Sequence, residues 1–243
     1  MSSTTLRNGR LGNIIIRNLA VSLIAQKHNL FVDYAANNLI EQLGIKLFCG
    51  EKKHNNIITL NEDNYFSILS QENLLESNID PNQSYFQTKE ITNIIYNMIH
   101  NNLKENIIKN NMLNYRYNNN NDLFIHIRLT DVSHHNPGLE YYIKAISNIN
   151  FDNIYIASDD LNHIIIKKII EKYPNTKLVN YNEIDTINFG STCKNIILSH
   201  GSFSVVIGYL AFFSTIYYPE YETNKMWYGD MFSIEGWNKL CVK

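Results

Sequence analysis

Apolar and polar positions alternate with two different rhythms along this chain. Beyond residue 122 short apolar runs and amphipathic stretches succeed one another regularly. Runs at 123–127, 153–157, 177–179, 195–198 and 214–218 have the length of strands. Between them, 139–149, 161–173, 183–194 and 203–213 carry the 3.6-residue spacing of helices, with Leu139, Tyr142, Ile143 and Ile146 on one face of the first. Five strands alternating with four helices predict a doubly wound parallel sheet.

The first half is less regular. A short strand at 4–6 leads into a polar loop at 8–13, and then Ile15, Ile16, Leu19, Ala20, Leu23 and Ile24 share a helical face. A strand at 30–32 and a short helix at 37–43 follow, so the chain starts as strand, loop, helix, strand, the order of a parallel α/β unit. Residues 52–87 are poorly patterned; 56–60 reads as a strand and the rest as loops and short helices. Ile91, Ile94, Ile95, Met98 and Ile99 stripe a long helix over 88–113. Four consecutive asparagines, 118–121, bury nothing and read as a solvated connector. The boundary falls there, between an N-terminal α/β half at 1–117 and a C-terminal Rossmann-like half at 122–243. The fold class expected is α/β, with two Rossmann-like halves facing each other across a cleft.

Composition narrows the function. The 243 residues carry a formal net charge of −2, with no Lys/Arg run, which argues against a general nucleic-acid binder. No window approaches the roughly 20 apolar residues of a membrane span, and residues 1–5 lack the pattern of a signal peptide. Cys49, Cys193 and Cys241 are few, odd in number and scattered, which fits neither a disulfide framework nor a zinc site. A reducing, cytoplasmic setting is the expectation.

Candidate chemistry concentrates at the ends of strands, where open α/β folds bind ligands. The run Phe124-Ile125-His126-Ile127-Arg128-Leu129-Thr130-Asp131 takes an apolar strand straight into a cation, a hydroxyl and a carboxylate. His126 and Arg128 share a face by strand alternation. Arg128 suits a diphosphate, because its planar fork pairs with phosphate oxygens; the alternative is a surface ion pair, and for His126 a satisfied core histidine. Asp131 either orients Arg128 or caps the next turn. Ser158-Asp159-Asp160 follows a second strand, and its carboxylates either divide between ribose and helix capping or both cap. No third acid stands near them, so no essential metal is expected.

Two further segments open helices. Asn8-Gly9-Arg10-Leu11-Gly12-Asn13 offers two glycines, a cation and a helix N-terminus, which suits an anion or an ordinary turn capped by Asn13. It lacks the third glycine of a dinucleotide fingerprint, which ranks a Rossmann oxidoreductase last. Ser199-His200-Gly201-Ser202-Phe203-Ser204 is a second phosphate nest or a plain cap. It lacks the Gly-x-Ser-x-Gly elbow of a hydrolase. His134-His135 forms a polar loop beside the expected cleft, and Tyr217-Tyr218-Pro219 and Met226-Trp227-Tyr228 read as core aromatics.

Taken in order, Gly9 to Asn13, His126 to Asp131, Ser158 to Asp160, Cys193-Lys194 and Ser199 to Ser204 resemble the motifs of the alpha-1,2-fucosyltransferase family and its alpha-1,6 and protein-O-fucosyl relatives. The resemblance implies a GT-B-type fold and an inverting, metal-independent transfer from a nucleotide sugar, typically GDP-fucose, to a glycan or glycoconjugate hydroxyl, with no cofactor. It implies that Arg128 binds the donor phosphates with His126 beside it. Asp159 or Asp160, Asp185, Ser202, Phe203 and Ser204 would line the nucleotide pocket, Arg10 and Asn13 would reach across from the N-terminal half, and that half would serve the acceptor. Helix N-termini at Gly12 and Ser202 would add to Arg128. Asp33, His134 and His135 are the candidates for a general base. The sequence departs from the family at Leu129, where many members carry a second arginine, at Ile14 in place of glutamine, and at Val205-Val206 in place of a tryptophan pair. Those departures leave open another donor sugar, such as rhamnose or xylose, or a non-catalytic relative that binds nucleotide or carbohydrate.

Overall fold

The computed structural model describes residues 2–5, 9–220 and 229–241. The expected strand end at Leu6, the loop residue Asn8 and the aromatic run Met226-Trp227-Tyr228 lie outside these.

The C-terminal half is built on a six-stranded, wholly parallel sheet. Its strands are β5 (Leu123–Ile127), β6 (Ile154–Ser158), β7 (Lys177–Val179), β8 (Asn195–Ile197), β9 (Thr215–Pro219) and β10 (Asn238–Leu240), in the spatial order β10-β9-β8-β5-β6-β7. The order reverses between β5 and β8, and the crevice outside such a switch point is where open α/β sheets bind ligands. β5 is central and buried at all five positions, so side-chain alternation sends its residues to two separate cores. Leu123, Ile125 and Ile127 pack toward α6 (Leu139–Ser147) and α7 (Ile164–Lys172). Phe124 and His126 face α8 (Glu183–Gly190) and α9 (Ser202–Tyr209), where Phe124 meets Phe189 and His126 meets Phe203. The alternation therefore hands His126 and the residue after the strand, Arg128, to the α9 side.

The N-terminal half carries much shorter strands. β1 (Ser3–Thr4) pairs in parallel with β2 (Val32–Asp33), and β3 (Ile57–Thr59) with β4 (Asn78–Asp80). The two pairs meet where the Ile79 N–H donates to Ser3 Oγ at 3.0 Å. Between them run α1 (Leu11–His28), α2 (Asn37–Glu41) and α3 (Tyr65–Ser70). α1 is buried on nearly every side, including Arg17, Asn18 and Ser22, rather than on the single face its spacing suggests. A helix apolar all round belongs inside a core, and α1 packs against α3, against α4 (Lys89–Met98) and, across the halves, against α9. One continuous apolar core consequently joins the two halves.

Several sequence expectations change. β4 replaces an expected loop, and β10 adds a sixth strand at the edge. The long helix is broken by a π-helical turn, Ile99–Leu103, before α5 (Lys104–Asn110). The wider turn coincides with His100 Nε2 lying 3.1 Å from the Tyr209 carbonyl. The asparagine connector is also more than a solvated run. Asn120 donates to the Arg116 and Thr192 carbonyls and accepts from the Asp122 and Lys194 N–H groups, using both ends of its amide to tie the connector to the sheet. Among the described residues no helix is long and apolar enough to cross a membrane.

Candidate functional site

Arg128 leaves the end of β5 and turns into the crevice with 13% of its side chain exposed. Its Nη1 lies 2.8 Å from Asp159 Oδ2, and its Nη2 pairs with Asp131 Oδ1. Asp159 is the better fixed of the two carboxylates. It accepts from the Leu129 N–H at 2.7 Å and the Thr130 hydroxyl at 2.5 Å, which locks the β6 loop to the β5 loop. Asp131 is more than half exposed.

Arg10 arrives from the other half. It precedes α1, half exposed, and reaches the same two acids, 3.3 Å from Asp131 and 3.5 Å from Asp159. Two guanidinium groups and two carboxylates therefore share one cluster, and their formal charges cancel. Leu129, at the position where the resembling family often has a second arginine, is buried among the side chains of the α6–α7 core. Strand alternation turns it away from the crevice, and Arg10 supplies the second cation instead.

Two adjoining cavities open on either side of this cluster and share Arg10, His126, Arg128 and Phe203 as walls. The first, of about 230 Å³, is completed by Gly9, Asn13, Tyr85, Gln87, Asp131, Val132, His200, Gly201 and Ser202. The second, of about 150 Å³, is completed by Ala157, Ser158, Asp159, Val179, Asn180, Tyr181, Glu183 and Thr186. Two helix N-termini point into this region with their first N–H groups uncapped. α1 starts at Arg10 and α9 at Gly201, neither with a side-chain cap, and neither has an acid in its first turn. Elsewhere α4, α7 and α8 are capped by Thr88, His163 and Asn182, while α2, α3, α5 and α6 also lack a side-chain cap but start away from both cavities. Uncapped N–H groups and the positive end of the helix dipole both favour an anion.

The two N-termini are held together by Gly12. A Cβ there would lie 2.5 Å from the Phe203 nitrogen, so only glycine permits the approach. One turn position on, Asn13 Oδ1 accepts from the Ser202 hydroxyl and, at 2.9 Å, from Gln87 Nε2. Gly12 itself lines neither cavity; its role is to bring α1 onto α9. Gly201 enters α9 with φ at +93°, a conformation that suits glycine.

His126 is 5% exposed, and its Nδ1 lies 2.5 Å from Ser204 Oγ. Burial pushes its pKa down to about 4, against the weaker opposing pull of Asp159. Ser204 is buried beneath the cavities and acts by holding that ring. His200 is also held neutral, its pKa lowered to about 4 chiefly by burial and by the neighbouring His135 and His126.

The structure does not gather every residue suggested by the sequence. Asp160 turns back on its own loop, where its Oδ1 accepts from the Asn162 N–H, and lines neither cavity. Asp185 pairs with Asn182 at the start of α8 and borders a different, open groove with Glu41 and Met112. Asp33, His134 and His135 line neither cavity, and the two histidines sit on a 3₁₀ turn, Ser133–His135. Sequence reasoning missed Tyr85, Gln87, Tyr181 and Thr186, which line the cavities and carried no signal; Thr130, part of the polar strand end it did single out, serves by donating to Asp159. Among the described residues no group of three His, Cys, Asp or Glu side chains is placed to hold a metal ion.

No protein-family model matches the chain, and no curated protein matches it by sequence. Its fold does match solved structures. The fucosyltransferase NodZ from Bradyrhizobium is similar with a TM-score of 0.53 at 11% identity, over 89% of this chain and 94% of that one. NodZ alpha-1,6-fucosyltransferase co-crystallized with GDP aligns over the same shares with a TM-score of 0.51 at 11% identity. The form soaked with GDP-fucose gives 0.51 at 10% identity, again over 89% and 94%. The chain therefore has the GT-B fold found in glycosyltransferases.

Proposed function

We propose that this protein is an inverting, metal-independent glycosyltransferase that moves fucose from GDP-fucose to a hydroxyl of a glycan acceptor. The observation that carries the reading is the convergence of Arg10, Arg128 and two uncapped helix N-termini on one pair of cavities. Fold alone does not fix activity; a metal-free transferase needs such a concentration of donors, and this chain has it at its sheet's switch point.

The second cavity, with Val179, Tyr181 and Thr186, takes the nucleoside. The diphosphate bridges the shared walls, and the sugar and acceptor occupy the first cavity, where the N-terminal half contributes. The acceptor oxygen bonds to the anomeric carbon from the side opposite the diphosphate. The bond from that carbon to the phosphate oxygen breaks, the nucleoside diphosphate leaves with the electron pair, and the acceptor proton passes to solvent. Charge growing on the departing phosphate meets preformed donors, the usual main source of stabilisation in such sites. Each charge-assisted contact contributes roughly 1.5–3 kcal/mol. Asp131, exposed and paired with both arginines, is the group the diphosphate displaces, while Asp159 stays to hold Arg128 in place.

GDP and fucose come from the GDP and GDP-fucose structures of NodZ together with the ordered sequence motifs, which favour the alpha-1,2 branch. A different deoxysugar or pentose is the second reading, supported by the apolar Leu129, Val205 and Val206 where the family carries arginine and tryptophan. The test is release of nucleoside diphosphate and formation of a glycoside on incubation with GDP-fucose and pooled oligosaccharides, alongside UDP-, dTDP- and other GDP-sugars. Turnover of GDP-fucose is expected. Turnover of another nucleotide sugar alone transfers the assignment to that donor, and none with any of them removes the enzymatic reading.

A further inference from the structure

His200 is 1% exposed, stands in the wall of the first cavity, and its Nε2 is buried with no partner at hydrogen-bonding geometry, the Val132 carbonyl of the neighbouring turn lying near the ring as a weak backbone acceptor. A buried polar atom left unpaired costs about 1–3 kcal/mol and calls for an explanation. The hydrogen bonds behind the ring decide what that atom is. Asn136 Oδ1 accepts from the Gly138 N–H at 2.9 Å, which fixes its amide so that Nδ2 donates to Tyr142 Oη at 3.0 Å. The Tyr142 hydroxyl then donates to Ser199 Oγ, 3.0 Å away, and the Arg128 N–H approaches the same oxygen at 3.3 Å. With both lone pairs of Ser199 engaged, its own proton goes to His200 Nδ1, at 3.2 Å. The reverse arrangement would strand the hydroxyl proton of Tyr142, a fully buried residue. His200 is therefore neutral with its proton on Nε2, a hydrogen-bond donor rather than a base.

The turn that carries Asp131 packs against this donor. Val132 also lines the cavity, and the His135 ring centroid lies 6.1 Å from that of His200. We propose that the Nε2–H of His200 binds an oxygen of the sugar-side phosphate of a nucleoside diphosphate, and that the ligand reaches it by replacing Asp131 on Arg10 and Arg128 and so shifting the turn. Three neighbours point to an anionic oxygen as the partner: the two arginines and the uncapped start of α9, which His200 precedes by two residues. His200 lines the first cavity and not the second, which selects the outer phosphate over the one beside the nucleoside. This assignment rests on the nucleotide-sugar reading given above.

The test combines histidine ¹⁵N NMR of the wild-type protein with titrations of GDP and GMP, and with UDP and ADP in parallel. The His200 signal, assigned by its loss in His200→Gln, is expected to show the Nε2–H form without ligand and to move on adding GDP. His200→Phe is expected to weaken GDP at least tenfold and to leave GMP, which lacks the outer phosphate, unchanged. His200→Gln, which keeps a donor near the same place, is expected to retain most of the GDP affinity. An Nδ1–H ring overturns the proposal whether or not His200→Phe folds, and so does equal GDP binding by wild type and His200→Phe. Failure of the wild-type protein to bind any nucleotide overturns the nucleotide-sugar reading itself, and this is distinguishable because it appears before any substitution is made.

Discussion

Asp159 Oδ2 lies 2.8 Å from Arg128 Nη1 while the same carboxylate accepts the Leu129 N–H at 2.7 Å. One acid thus fixes both the cation and the backbone that carries it. Such preorganisation lets a guanidinium act on a departing phosphate without first being ordered.

Replacing Arg128 by alanine should lower turnover on the order of 10²–10³-fold, the loss that follows removal of one preorganised donor. Lysine should rescue little, because a point charge cannot reproduce the two-nitrogen fork that now spans Asp131 and Asp159. Steady-state kinetics of both variants with the identified donor check this; near-normal kcat in Arg128→Ala refutes the role.

Asp159→Ala should destabilise the fold by about 1–3 kcal/mol, since a mostly buried guanidinium and two backbone N–H groups lose their acceptor. Denaturant unfolding measures it, with activity falling in parallel. Unchanged stability would show that Asp159 is not the anchor.

Asp131→Ala should behave in the opposite sense toward ligand. An exposed carboxylate competing for Arg10 and Arg128 holds its place by at most about 1 kcal/mol. Its removal should tighten GDP binding by up to roughly fivefold. Weaker binding would mean that Asp131 orients Arg128 rather than competing for it.

Much of this was legible in the chain. Beyond residue 122, apolar runs and helical spacing placed β5 and β7 to the residue: β5, buried at all five positions, reads as a nearly continuous apolar run, whereas β7 is a largely exposed edge strand found by its place between two helical stretches. β4 and β10, Asn-Ile-Asp and Asn-Lys-Leu, have no such run; they form because a neighbouring strand offers its edge. The N-terminal strands are two or three residues long, too short for any period to show. In the site, a cation at a strand end announced Arg128. Asp159, Asp160 and Asp185 looked alike, because a capping carboxylate and a ligand-facing one leave the same mark in sequence. Gln87 carried no signal; only the packing of α1 brings it to Asn13.

Gly12→Ala should cost about 1–3 kcal/mol as an overpacked contact, because the new methyl meets backbone atoms of Ser202 and Phe203 that cannot swing aside. Thermal unfolding and ligand affinity should fall together, since the same contact holds both helix N-termini at the site. A stable Gly12→Ala protein would mean that α1 and α9 are less closely apposed.

Stability should also depend on acid through His126 and His200. Each has its folded pKa depressed to about 4, below the unfolded value near 6.5. Above pH 6.5 both states are neutral and stability is full. Between about 6.5 and 4 the unfolded chain takes up protons that the folded protein refuses, so stability falls as pH drops, by about 1.4 kcal/mol per unit for each histidine. Below about 4 this contribution stops changing. Denaturant midpoints across that window test the slope, and a flat profile would contradict the burial of both rings.

The most direct test of the paired-arginine site is calorimetric titration of GDP into the wild-type protein and into Arg10→Ala, Arg128→Ala and the double variant. Saturable binding by the wild type, weakened at least tenfold by each single change and abolished in the double variant, is the predicted result. GDP binding that is indifferent to both arginines would contradict the account.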